Sequence, residues 1–202
     1  MLRKLFFLCL CFGVIGYGIF NNGRFIVPIN SESRDKAIQI VERVADSTGS
    51  SLKILEDKSL RRLEGTAYGV YDGDTCWISL KNGDKEKLRF VHIDAPEKNQ
   101  PMGLESQKFL ANLIDGREII AVVEGTDQYG RRLVRVFYDG HDVNAEMVKN
   151  GYAWHYKNYD VKGSSVYNEF SAYEKSSREQ KLGIWAYGES EAPWEFRKKM
   201  RP

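Results

Sequence analysis

The tetrapeptide Lys81-Asn82-Gly83-Asp84 stands between two strand-like runs, Thr75 to Leu80 and Glu86 to Ile93. An Asn-Gly pair in that setting is a strong hairpin signal. A lone hairpin is marginal in water, so these strands need partners. The spacing predicts them at Gly65 to Tyr71 ahead of the hairpin, and at Glu118 to Val123 and Arg132 to Tyr138 behind it. The last two flank a turn at 126–130, and Asp139-Gly140 closes the second. Between the two groups, Leu104, Phe109, Leu110 and Leu113 recur at helical spacing over Gly103 to Ile114. Asp142 is placed to cap a short helix through Lys149, with Gly151 to end it, and a charged helix is expected from Val166 to Lys181. Three strands, a helix, two strands and further helices predict an α+β domain. Its leading closed form is a five-stranded barrel of the oligonucleotide-binding (OB) type.

With 202 residues, the chain has room for one such core and some appended segments. Its 30 basic and 28 acidic residues leave a formal charge of +2, so affinity for a polyanion has to come from local clusters. Arg3 and Lys4 precede an uncharged run from Leu5 to Phe20, which has the form of an export signal or a single membrane anchor. The domain is therefore expected outside the cytoplasm, either periplasmic or secreted, or held at a membrane through residues 5–20. Cys9 and Cys11 lie within that run. Cys76 stands alone in the body and reads as a packed strand residue. The expected organisation is a signal or anchor over 1–20 and a leader over 21–60, whose Ala37, Ile38, Val41 and Val44 suit a short helix. A catalytic body over 61–187 and a basic tail over 188–202 follow. In the tail, Trp194 is expected to pack on the barrel. Arg197, Lys198, Lys199 and Arg201 are either solvated charge or nonspecific phosphate contacts.

Chemistry-bearing residues concentrate in four segments. Asp72-Gly73-Asp74-Thr75 sets two carboxylates around a glycine at a strand corner, able to face a common ion or simply to form a surface turn. Arg89-Phe90-Val91-His92-Ile93-Asp94-Ala95-Pro96-Glu97 adds a cation and two acids. Strict alternation puts Arg89 and Asp94 on opposite faces, so a shared site needs a bend between them. Asp127-Gln128-Tyr129-Gly130-Arg131-Arg132 sets arginine forks at a turn, where they can grip phosphate. Tyr152 to Tyr159 is dense in aromatic and cationic groups, suited to core packing or to base stacking.

In order and spacing these segments, with Lys181-Leu182-Gly183-Ile184-Trp185, resemble the staphylococcal nuclease family of thermonuclease-like enzymes from about Arg61 to Trp185. The resemblance implies a five-stranded OB-type barrel with about three helices, one calcium ion, and hydrolysis of DNA and RNA to 3′-phosphate products, here by a monomer. It implies Asp74 and Asp94 as calcium carboxylates, the carbonyl of Ala95 as a further ligand, and Asp72 nearby. Glu97 matches the acid proposed as general base. Arg89 and Arg131 match the pair on the scissile phosphate, and Tyr129 and Tyr159 match ligand-contacting tyrosines. Ala95 stands where the family often has threonine, and Lys157, beside Tyr156, replaces another nucleotide-contacting tyrosine. Lys157 and Tyr156 are therefore the candidates at that end of the substrate. The alternative is a noncatalytic nucleic-acid or protein-binding module of the same fold. Retention of Asp74, Arg89, Asp94, Glu97 and Arg131 favours the enzyme.

Overall fold

The structure is a computed structural model that describes residues 19–21, 24–26, 60–186, 188 and 190–200. It divides into two compact units, Met1–Asp46 and Ser47–Pro202. In the first, strands β1 (Ile19–Asn21) and β2 (Arg24–Ile26) pair antiparallel, with Phe20 opposite Phe25. The helix expected around Ala37 to Val44 and nearly all of the uncharged run lie outside the described residues. Among those that are described, no helix is long and apolar enough to cross a membrane.

The second unit is built on a closed barrel. Strands β3 (Arg62–Tyr68), β4 (Thr75–Leu80) and β5 (Lys85–Phe90) form an antiparallel meander, with the expected turn at 81–84 between the last two. Helix α1 (Gly103–Ile114) leads to β7 (Glu118–Thr126) and β8 (Arg132–Tyr138), which pair antiparallel with each other. β7 also pairs with β3, and β8 lies parallel to β5 through Arg89 opposite Leu133, which closes the ring of five strands. The period-2 alternation sends Leu63, Ala67, Cys76, Ile78, Leu88, Phe90, Ala121, Val134 and Val136 into one interior. Burial raises the Cys76 thiol to about 12, in keeping with a packed strand residue.

Several boundaries differ from the sequence expectation. β3 starts at Arg62 and stops at Tyr68, because Gly69 takes φ +58° and turns the chain out of the pleat before Tyr71. The third strand breaks after Phe90. His92 takes φ +65°, and a two-residue β6 (Ile93–Asp94) then pairs with β10 (Trp154–His155). This is the bend that a shared site for Arg89 and Asp94 needs. β7 runs three residues past Val123 by way of an irregularity between Val123 and Gly125. In α1 the buried face is Gly103, Ser106, Leu110 and Ile114, and Leu104, read as apolar periodicity, is exposed.

β9 (His141–Asp142) leads into α2 (Val143–Lys149), and the Asp142 side chain caps it by accepting from the Ala145 N–H at 3.0 Å, as expected. Helix α3 (Ser165–Glu179) is capped by Ser164 and followed by a 3-10 turn at Gly183–Trp185. Arg135 on β8 is fully buried. It bonds to Asp142 and, at 3.2 Å, to Glu169 of α3, with its guanidinium 5.3 Å from the centre of the Phe170 ring. One ion cluster thus ties the barrel to α2 and α3.

About three helices were expected, and four α-helices are present among the described residues, because residues read as a basic tail form α4 (Pro193–Lys199). Pro193 suits a first helical turn and the three basic residues of the last turn suit its negative end. Trp194 does pack on the body, in a cluster with Trp154, Ile184 and Trp185.

Candidate active site

At the corner after β3, Asp72 accepts from the Asp74 N–H at 3.1 Å, which curls the loop inward. Gly73 makes this path available: a Cβ there would fall 1.8 Å from Ser106 Oγ of α1 and 2.7 Å from the Ala95 Cβ. The chain is thus pressed against α1 and the Asp94 loop at once. Asp74 is buried and is held by the Ala95 N–H at 2.7 Å and the Thr75 hydroxyl at 3.0 Å. Burial raises the Asp72 carboxyl above its ordinary range, although the charges of Arg89, Lys98 and Arg131 and a hydrogen bond from Thr75 oppose this.

The bend at His92 brings Asp94 to the same place. Arg89 at the end of β5 donates to Asp94 Oδ1 at 2.7 Å and also bonds to Asp74, so both buried carboxylates converge on one guanidinium. Glu97 follows on the loop, its N–H donating to Gln100 Oε1 at 3.1 Å. Asp72, Asp74, Arg89, Asp94 and Ala95 are thus linked by hydrogen bonds or ion pairs, and Glu97 lies three residues beyond Asp94.

Beside them opens a pocket of about 390 Å³ lined by Arg89, His92, Tyr129, Arg131, Tyr156 and Tyr159, among others. Arg131 is oriented by Asp127, which accepts from its Nε at 2.7 Å. That bond and backbone N–H donors hold the Asp127 carboxyl below its ordinary range against the opposing effect of burial. Lys157, the fourth residue assigned to the substrate end, is placed differently: its ammonium meets Glu174 of α3 at 2.8 Å.

The pocket wall contains a network that the sequence reading did not assign. His92 Nδ1 lies 2.6 Å from Asp160 and Nε2 lies 3.1 Å from Glu124, while His155 reaches the other Asp160 oxygen at 2.8 Å. The His92 ring stands edge-on to Tyr159 at 6.0 Å. Burial works against charge on His92, but the hydrogen bonds to Asp160 and Glu124 outweigh it and raise the group to about 9. Asp160 is brought to about 2 because the bonds from His155 and His92 outweigh its burial.

The signs of these two shifts predict a stability window. The His92 contribution is complete below its ordinary value of about 6.5 and is lost as pH rises through about 9. That of Asp160 is present above about 3.8 and is lost as pH falls through about 2. Melting in chelator should thus show a plateau between about pH 4 and 6.5, then a decline worth up to about 3 kcal/mol toward pH 9. Asn accepts the positive φ, so His92→Asn should fold and flatten that decline. An unchanged slope in the variant would remove His92 as its source.

The largest difference from the sequence reading is Arg197. From α4 it donates to Asp94 Oδ2 at 2.7 Å, to Asp94 Oδ1 at 3.2 Å and to Glu97 Oε1 at 2.8 Å. Burial disfavours its charge, but the hydrogen bonds to Asp94 and Glu97 outweigh this and raise the guanidinium further. Gln100 helps to fix the approach by donating to the Glu191 carbonyl at 2.5 Å. A residue expected in a solvated tail thus joins the two acids at the centre of the site. Its helix was foreshadowed by Pro193 and the basic last turn, but its target was not, because Asp94 and Glu97 lie about a hundred residues earlier.

Comparisons with known proteins point to nucleases. The family model described as staphylococcal nuclease homologue matches residues 87–187. The chain is 34% identical over 143 residues to the micrococcal nuclease of Shigella flexneri, covering 66% of this chain and 80% of that protein. It is 33% identical over 129 residues to an uncharacterized endonuclease of Haemophilus influenzae, covering 64% and 70%. A probable staphylococcal-like nuclease, CAN2, of Oryza sativa is 37% identical over 117 residues, which cover 58% of this chain but only 30% of the plant protein. The chain spans less than a third of the length of that plant relative.

Proposed function

The chain belongs to the staphylococcal nuclease family, and we propose that it is a calcium-dependent phosphodiesterase that cleaves DNA and RNA internally and leaves 3′-phosphate ends. The observation that carries this reading is the convergence of Asp74 and Asp94 on Arg89, with Glu97 joined to Asp94 through Arg197, beside a pocket that Arg89 shares with Arg131.

Family membership implies a metal-dependent nuclease. Among the described residues no group of three or more His, Cys, Asp or Glu side chains is gathered as a metal cluster. The two buried carboxylates, with the Ala95 carbonyl that the family resemblance adds, would offer only oxygen donors, which fits a hard cation such as calcium and offers zinc no nitrogen or sulfur. Arg89 pairs with both carboxylates and Arg197 with Asp94, so an ion would share or take over oxygens that guanidinium groups hold here. Asp74, Asp94 and Ala95 would hold the ion, with Asp72 behind Asp74. When bound, calcium supplies Lewis-acid polarisation of a phosphoryl oxygen.

The remaining steps belong to the chain's own side chains. A phosphodiester repels an attacking oxygen and gathers further negative charge as attack proceeds. Arg89 and Arg131 are placed to bind its oxygens and stabilise that charge. Glu97 is placed to orient a water or take its proton. Tyr129, Tyr156 and Tyr159 wall the pocket where the adjoining nucleotide would sit.

Digestion of plasmid DNA and of RNA with and without chelator, followed by end-group analysis, tests the reading. Chelator-sensitive cleavage with 3′-phosphate ends is expected, and lack of cleavage of either substrate in calcium would overturn it.

The contacts of Arg197 add a consequence for metal binding. A calcium ion at Asp94 would compete with its two hydrogen bonds from Arg197, so Arg197→Ala should tighten calcium binding by at least roughly tenfold, the lower bound for a single charge-assisted hydrogen bond lost from the metal-free state. Calorimetric titration reads this directly. Unchanged or weaker affinity would show that Arg197 does not compete with the ion.

Export of the domain is also proposed, from the Arg3-Lys4 pair and the uncharged run behind it. Recovery of the protein in a cytoplasmic fraction with Met1 intact would refute it.

A further inference from the structure

Outside the pocket, the barrel presents a second ordered set of side chains. Cys76, Ile78, Leu88 and Phe90 face the interior, so Thr75, Trp77 and Ser79 of β4 and Lys85, Lys87 and Arg89 of β5 stand on the opposite face. The register sets Thr75 beside Arg89, Trp77 beside Lys87 and Ser79 beside Lys85, with Tyr68 of β3 on the other side of Trp77. This row starts at Arg89, an arginine of the candidate site. Strand geometry puts Lys87 about 7 Å and Lys85 about 14 Å further along. Tyr71 precedes Asp72, and Lys98 follows Glu97. The Lys98 ammonium lies 3.5 Å from the Tyr71 ring centre and that of Lys87 lies 5.1 Å from it. Tyr71 is 52% exposed and Trp77 37%. The outward rows of β4 and β5 contain no acid.

Exposed rings interleaved with lysines offer stacking surface and phosphate neutralisation together, and the outward acid of β3, Glu64, is paired with Lys81 at 3.4 Å. A duplex keeps its base faces covered, whereas a single strand leaves them free to stack on Trp77 and Tyr71. We infer that the outer face of β3, β4 and β5, through Tyr68, Tyr71, Trp77, Lys85, Lys87 and Lys98, binds the nucleotides that flank the scissile phosphate of a single-stranded nucleic acid. The term scissile rests on the nuclease reading above, and the binding does not.

The test has two arms. In chelator, fluorescence anisotropy follows binding of a twelve-nucleotide oligothymidylate. Trp77→Ala should weaken it roughly tenfold, Trp77→Phe should restore most of the loss, and the double variant Lys85→Ala/Lys87→Ala should reduce the salt slope by about 1.4. In calcium, kcat/KM is compared for the twelve-mer and a dinucleotide. The same variants should diminish the advantage of the longer substrate and leave dinucleotide cleavage unchanged. If Trp77→Ala does not fold, the lysine pair decides. Wild-type affinity and an undiminished twelve-mer advantage in the variants would overturn the inference. Absence of cleavage by the wild type would overturn the nuclease reading alone, and the anisotropy arm would still decide whether this face binds.

Discussion

Glu97→Gln is expected to lower turnover on DNA by about 10²–10⁴-fold, the usual contribution of a positioned general base, with little change in KM or melting temperature. Glutamine has the same shape and still offers an oxygen to Arg197, but it cannot take a proton from water at neutral pH. The loop should hold, because the Glu97 N–H is anchored by Gln100 and the side chain is one-third exposed. Steady-state kinetics on an oligonucleotide, with a melting curve for each protein, separate the two roles. Full activity in the variant would exclude Glu97 from proton transfer. A fall in both kcat and melting temperature would make it structural.

Arg135→Ala is expected to be the most damaging change outside the site, costing about 3–5 kcal/mol. The arginine is fully buried between Asp142 and Glu169, and its removal leaves their carboxylates in the interior without the cation that compensates them. Asp142 also caps α2, so the loss should reach the packing of α2 and α3 on the barrel. For a domain of this size the melting temperature should fall by at least about 6 °C. Denaturant unfolding measures the loss. A change below about 1 kcal/mol would show that packing alone fixes the two helices.

Much of the barrel was legible because its signals are local. The Asn82-Gly83 turn, the alternation in β4 and β5, and the Asp142 cap each act within a few residues and survive burial unchanged. The site was legible for another reason: the motifs carry its residue types in order, and the bend between Arg89 and Asp94 followed from the parity of the pleat. What escaped depends on contacts distant in sequence. His92 looks like an ordinary strand residue until Asp160 and Glu124, 68 and 32 positions away, are seen against it. Arg197 looks like tail charge until α4 folds back onto Asp94. Leu104 fits the periodicity of α1 and is nevertheless exposed, since the helix turns Ser106 and Leu110 to the body, where Ser106 donates to the Tyr152 carbonyl at 2.6 Å.

The calcium-dependent hydrolysis proposed above would run at the carboxylates of Asp74 and Asp94. The most direct measurement is the initial rate of single-stranded DNA cleavage as calcium is titrated, for the wild type and for Asp94→Asn, with folding of both checked by melting. The wild type should rise from no activity in chelator to a plateau. Asp94→Asn, deprived of one of two buried charges at the ion, should need far more calcium and reach a much lower rate. Cleavage that persists in chelator, or a variant that titrates like the wild type, would contradict the account.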